Sequence, residues 1–453
     1  MGQFTICGTG FHAPRLGAIE VLEDALISVG EDGTIGSVAQ PSDSNYASRK
    51  AEAEAAGRLT KLAAGQYLIP GLVDLHIHAP QFPQLGKALD LPLAEWLQKH
   101  TFPLEARYAD VGFARRVYAS LVDTLLANGT TTALYFATIH DAASAALAEI
   151  CLEKGQRALI GRVAMDHPEQ CPDFYRDRSA EAALDGTRAF IHQVRDMRGN
   201  ERGRVRPVVT PRFIPACTDR LLDGLGRLAQ ECGSHVQTHC SESDWEHSHV
   251  LARFGKTDAE ALAEFGLITR RTILAHGNFI AGRDLELIGA SGAGMAHCPL
   301  SNFYFANSVF PLRAVLEKGI RVGLGTDISA GHSPSILDAC RAAVAASRAL
   351  EDGVDPALPP DRRGRPGSRI GYREAFWLAT AGGGEALDLP IGKFAPGFTF
   401  DAVLVDVNAP GSNVRVWEGL DGLDDVLQKI LTSASRANIV KTWAQGRVVH
   451  AAG

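Results

Sequence analysis

Short runs rich in β-branched and aromatic residues alternate with helical patterns through the middle of this chain. That alternation restricts the fold more than any other feature. In "VGFARRVYASLVDTLLANG" apolar residues recur at helical spacing (Phe113, Val117, Leu121, Leu125) and stop at Asn128-Gly129, a helix terminator. "TTTALYFA" follows as a strand, and the rhythm continues through "RALIGRVAM", "RVRPVVTP", "SHVQTHC", "RTILAHG", "GAGMAHCP" and "RVGLGTD". With "LIPGLVDLHIH" this makes about eight strands separated by helical patterns, and a parallel (β/α)8 barrel of TIM-like form is the natural closure for that number. The glycine-rich "TAGGGEALDLP" lacks the Gly-Lys-Ser/Thr ending of a phosphate loop and reads as the end of a helix.

The two ends of the chain have a different style. "FTICGTGFHA" and "ALISVGEDGTIGSVA" are short strands with turns, interrupted by an alanine- and glutamate-rich segment from Tyr46 to Gly57; "FTFDAVLVDV" and "IVKTWAQGRVVH" return to strands near the C-terminus. The expected organisation is α/β: residues 69–394 as the barrel, with 1–68 and 395–453 joining in a small β-sandwich.

Composition narrows the function. Hydrophobic residues are 45% and charged residues 21%, so a large core is available, and a net charge of −7 without a basic run argues against nucleic-acid binding. The eight cysteines contain no C-x-x-C pair, which suits a reducing compartment. "MGQFTICGTG" lacks the basic and apolar regions of a signal peptide, and no apolar run reaches the roughly 20 residues of a membrane span. The expectation is a cytoplasmic protein without nucleic-acid or membrane partners.

Histidines give the chemistry. His76 and His78 lie two apart in "VDLHIH", so on a strand both imidazoles project from one face. Alone, such a pair is more often two separately satisfied histidines. Here His239 closes "SHVQTH", His276 closes "RTILAH" and Asp327 closes "RVGLGTD", each at the C-terminal end of an expected strand, where barrels of this class place their sites. Four histidines and an aspartate at equivalent positions make an N/O site suited to Zn²⁺, with Fe²⁺ as the alternative.

Together "PGLVDLHIH", "THCSE", "LAHG", "AHCPLSN" and "GLGTD", in that order, resemble the motifs of the amidohydrolase superfamily, and within it those of its guanine-deaminating members. The resemblance covers nearly the whole chain. It implies a metal held by His76, His78, His239, His276 and Asp327, a flanking β-sandwich built from both ends, and a homodimer. Two-metal members bridge their ions through a lysine on the fourth barrel strand; "RALIGRVAM", taken as that strand, has none, so one ion per chain is expected. Glu242, three residues beyond His239, resembles the family's proton shuttle, and Asp327 would serve as base as well as ligand. His297 resembles an additional active-site histidine, or is a structural polar residue.

"HIHAPQFPQLG" and "TPRF" resemble the segments that contact the purine, which implies that Gln81 and Arg212 hydrogen-bond its polar edges and that Phe213 packs on the ring. "MDHPEQCPDFY" departs from the expected pattern and yields no site residue. The implied reaction is hydrolysis of guanine at C2 to xanthine and ammonia by a metal-activated water. The rivals are a related aminohydrolase acting on 8-oxoguanine or a triazine-like ring, and a non-catalytic scaffold on the same fold. A third architecture, with H-x-E and P-C-x-x-C, fails because no P-C-x-x-C follows His167-Pro168-Glu169.

Overall fold

In the computed structural model, which describes residues 2–452, the alternating N-terminal segments become β1 (Phe4–Arg15), β2 (Ala18–Val29), β3 (Ile35–Ala39), β4 (Leu59–Lys61) and β5 (Gln66–Pro70). One residue later, after Gly71, the chain enters the first barrel strand, β6 (Leu72–His78). The barrel continues through β7 (Thr130–Phe136), β8 (Arg157–Gly161), the two-residue β9 (Val163–Ala164), β10 (Val205–Pro211), β11 (His235–Cys240), β12 (Thr272–His276), β13 (Gly294–His297) and β14 (Arg321–Leu324). β15 (Ala402–Asp406), β16 (Ile439–Ala444) and β17 (Arg447–Ala451) complete the strands.

All barrel pairings are parallel, in the order β6-β7-β8-β10-β11-β12-β13-β14, with β9 beside β10. Backbone just beyond β14 brings the last strand round to the first: Asp327 N–H donates to the His76 carbonyl (2.9 Å) and His78 N–H to the Ile328 carbonyl (3.0 Å). The buried Asp74 carboxylate seals this seam by accepting from the Thr326 hydroxyl (2.5 Å) and N–H (3.1 Å). Strands buried on both faces explain the near-continuous apolar runs of the sequence. The strand count corrects one expectation: β8 ("RALIG") is the third barrel strand. The fourth is β10, "VRPVVTP", which also has no lysine.

The segment "TAGGGEALDLP" does contain a helix end, at Ala386, but its triple glycine lies within the helical run Leu378–Ala386 and lets that helix touch the barrel. A Cβ on Gly382 would come within 2.8 Å of the Val322 carbonyl oxygen, and one on Gly383 within 2.7 Å of Val73 Cβ.

The two chain ends join in one mixed sheet, β17-β16-β15-β5-β1-β2-β3, with β4 also on β1. The expected sandwich is this single sheet rolled on itself. Its far strand β3 returns to the segment before β15, where Ile35 N–H donates to the Phe398 carbonyl and Gly397 N–H to the Ile35 carbonyl. Ile6, Leu22, Ile27, Leu68, Phe400, Leu404 and Trp443 fill the roll.

Candidate active site

Because side chains two apart on a strand share a face, β6 aims both His76 and His78 inward at its C-terminal end, with ring centroids 4.9 Å apart. Parallel neighbours bring His239 from β11 and His276 from the last residue of β12 to the same end, and Asp327 arrives from the segment after β14. Asp327 Oδ1 lies 3.3 Å from His76 Nε2 and 3.6 Å from His78 Nε2, and its Oδ2 lies 3.8 Å from His276 Nε2. His78 Nε2 and His239 Nε2 are 3.0 Å apart. His276 and Asp327 both hold positive φ (70° and 49°), a conformation uncommon for residues with a side chain and concentrated at functional sites.

This cluster fits a divalent cation. The Nε2 atoms of His76 and His276 are buried and lack a hydrogen-bond partner, a state natural proteins rarely tolerate without a further role for the atom. Two outer nitrogens are engaged instead: His239 Nδ1 meets the Arg212 carbonyl at 2.5 Å and His276 Nδ1 meets Asn302 Oδ1 at 3.0 Å, which fixes those two tautomers with Nε2 turned inward. Burial, and then neighbouring imidazoles, hold His76, His78 and His239 well below the usual histidine range, so each is neutral with a lone pair to donate. Three imidazoles, those of His76, His78 and His239, lie close enough to share one ion, as do His239, Glu242 and His276.

Glu242 follows β11 on a buried loop, its Oε1 3.7 Å from His276 Nε2. The loop is held from both sides, since Glu242 N–H donates to Glu246 (2.7 Å) and the Glu242 carbonyl accepts from Asn278 Nδ2 (2.8 Å). Burial, then the Asp327 charge, raises the Glu242 carboxyl well above its ordinary range, while burial pushes Asp327 up to about 6.

His78, His239, Glu242 and Asp327 line a cavity together with Gln81, Arg212 and Phe213, and Leu93, Trp96, Leu97 and Ala330 supply its apolar lining. Every substrate contact expected from the sequence therefore faces one space. His297, at the end of β13, stacks on Phe310 (4.8 Å) and is absent from that lining.

One residue of this site has no sequence signal. Glu105, wholly buried in the short helix Phe102–Ala106, accepts hydrogen bonds from Gln81 Nε2 (2.9 Å) and from both terminal nitrogens of Arg212 (2.6 and 3.2 Å). Only packing against residues distant in sequence reveals it.

Residues 67–449 match the amidohydrolase family. The chain is 38% identical to a probable guanine deaminase of Schizosaccharomyces pombe, covering 98% of this chain and 82% of that protein. It is 35% identical to the guanine deaminase of Homo sapiens, covering 98% and 95%. Among solved structures, guanine deaminase from C. acetobutylicum with bound guanine superposes with a TM-score of 0.87 at 29% identity, over 99% of this chain and all of that one.

Proposed function

The chain belongs to the amidohydrolase family, and from that premise we propose that it is a guanine deaminase, hydrolysing guanine at C2 to xanthine and ammonia. One observation carries the reading in the molecule itself: Gln81 and Arg212, joined through a single buried carboxylate, face the same cavity as the His/Asp cluster and Glu242. A flat ring with carbonyl and ring-nitrogen acceptors needs fixed donors, and a guanidinium supplies them in a rigid plane.

His76, His78, His239, His276 and Asp327 would hold the ion, which when bound supplies Lewis acidity that lets water ionise near neutral pH. Within that arrangement Asp327, its carboxyl raised by burial to about 6 and still ionised at neutral pH, takes a proton from the attacking water. Glu242, whose buried carboxyl favours the protonated form, gives its proton to N3 as the water oxygen bonds to C2. The C2–N bond then breaks: Asp327 passes its proton to the departing amino group, which leaves as ammonia, and the C2 hydroxyl proton restores Glu242. Phe213 covers the ring, and the cavity's apolar residues exclude bulk water.

The same proposal takes the ion as one zinc per chain and the molecule as a cytoplasmic homodimer. Eight free cysteines, seven of them buried, suit a reducing compartment, and among the described residues no helix is long and apolar enough to cross a membrane. It divides the chain at 68/69 and 394/395 into barrel and rolled sheet, with Ile69 and Pro70, the end of β5, still paired to β15 in the rolled sheet. Ammonia release by purified, metal-analysed protein tests the reading, with guanine compared against 8-oxoguanine and adenine, and chloride release followed for a chlorotriazine. Preferential release from guanine is expected; turnover of another ring instead overturns the assignment of substrate.

A further inference from the structure

Gln81 and Arg212 can recognise a ring only if their hydrogen-bonding groups are presented in one fixed order. An amide side chain is nearly symmetric in shape, and a flip exchanges its donor and acceptor. Two neighbours remove that freedom from Gln81. The Glu105 carboxylate takes the Nε2 donor at 2.9 Å, and Ser329 N–H gives to Oε1 at 3.2 Å. A carboxylate accepts only and a backbone N–H donates only, so the flipped amide would face a partner of its own kind on each side. Arg212 is held as firmly, both terminal nitrogens on Glu105 and its guanidinium 5.0 Å from the ring of Phe102 on the same short helix. Each of those nitrogens keeps one N–H, and Gln81 keeps one N–H and one lone pair.

We infer that Glu105 is a positioning residue that makes the site select a 6-oxo over a 6-amino purine; the inference rests on the function proposed above. Arg212 offers only donors to the ring, and the lock on Glu105 fixes where they point. A carbonyl oxygen satisfies them, whereas an amino group sets donor against donor and leaves buried groups unpaired, which is where hydrogen-bonding sites discriminate most sharply. Glu105 also neutralises Arg212, an otherwise uncompensated buried cation beside the proposed ion.

The test uses metal-loaded full-length enzyme and two substrates, guanine and 2,6-diaminopurine. Both carry the amino group at C2 and they differ only at C6. In Glu105→Gln the carboxamide still fills the space but can no longer accept from both partners at both oxygens. Expected are a rise of about 10- to 100-fold in KM for guanine with a smaller change in kcat, an unchanged zinc content, and a comparable fall in the preference for guanine over 2,6-diaminopurine. Glu105→Asp, which keeps the charge but shortens the reach, is expected to lie between wild type and Glu105→Gln in that preference, and it stands in if Glu105→Gln does not fold. A preference that stays at the wild-type value while activity falls only in proportion to folded protein makes Glu105 purely structural and overturns the inference. Wild-type enzyme inert toward guanine overturns the functional reading and this inference with it.

Discussion

Glu242 is the side chain whose removal separates binding from chemistry. Its Oε1 stands 3.7 Å from His276 Nε2, while the backbone contacts to Glu246 and Asn278 hold the loop independently of the carboxyl group. Glu242→Gln should therefore keep its metal and its fold but lose about 10²- to 10⁴-fold in kcat; metal analysis beside steady-state kinetics checks both halves. Residues of this kind were legible because their meaning is local. His76 and His78 announce a shared strand face, and Glu242 stands three residues from His239. Glu105 was not legible: its role depends on Arg212, 107 positions away, and on a five-residue helix whose sequence, "FPLEA", carries no distinguishing pattern.

At the scale of elements, close approach and capping decide stability. The helix carrying Gly382 lies so near β14 that Gly382→Ala should lower stability by about 1–3 kcal/mol, because a methyl group there meets a backbone carbonyl that cannot move aside. Equilibrium denaturation measures it. The helix Asp244–Phe254 is tied to the next, Asp258–Glu264, by His247 Nδ1 and Asp258 Oδ2 at 3.3 Å. Hydrogen bonding to Asp258 raises the His247 pKa above 6.5. The stabilisation is thus complete below the unfolded pKa and is lost as pH rises through the folded one. His247→Gln should lower the denaturation midpoint more at about pH 5.5 than at about pH 8.5. Strand periods were plain in the sequence, since β-branched runs ending in glycine or histidine admit few other readings. The π-turn at Leu97–Thr101 had no such signal, because it interrupts a helix whose residue pattern is ordinary, and the glycines at the end of the π-turn Leu378–Gly382 read as a helix end.

Across the whole molecule, one buried pair joins barrel to rolled sheet. Arg157, the first residue of β8, donates to Asp401, immediately before β15, and Asp401 also accepts from Gln445 N–H at 2.7 Å. Asp401→Asn strands the guanidinium in the interior, so stability should fall by about 3–5 kcal/mol; thermal and denaturant unfolding that match wild type would dissociate the pair from stability. That both chain ends are strand-rich was readable from their turns and alternation. That they form one continuous roll was not, because β5 meets β15 across the length of the barrel: Gln66 Nε2 donates to Asp406 Oδ2 over a separation of 340 residues. A ribosome making this chain releases β1 to β5 before the barrel, yet delivers their partner strand only after the barrel's last ligand has emerged. At roughly 5–20 residues per second, the opening strands wait on the order of tens of seconds with an unpaired edge. Strands β1 to β5 precede the barrel in the chain yet are among the last elements to be completed, and the exposed β5 edge is where chaperones would have most to protect.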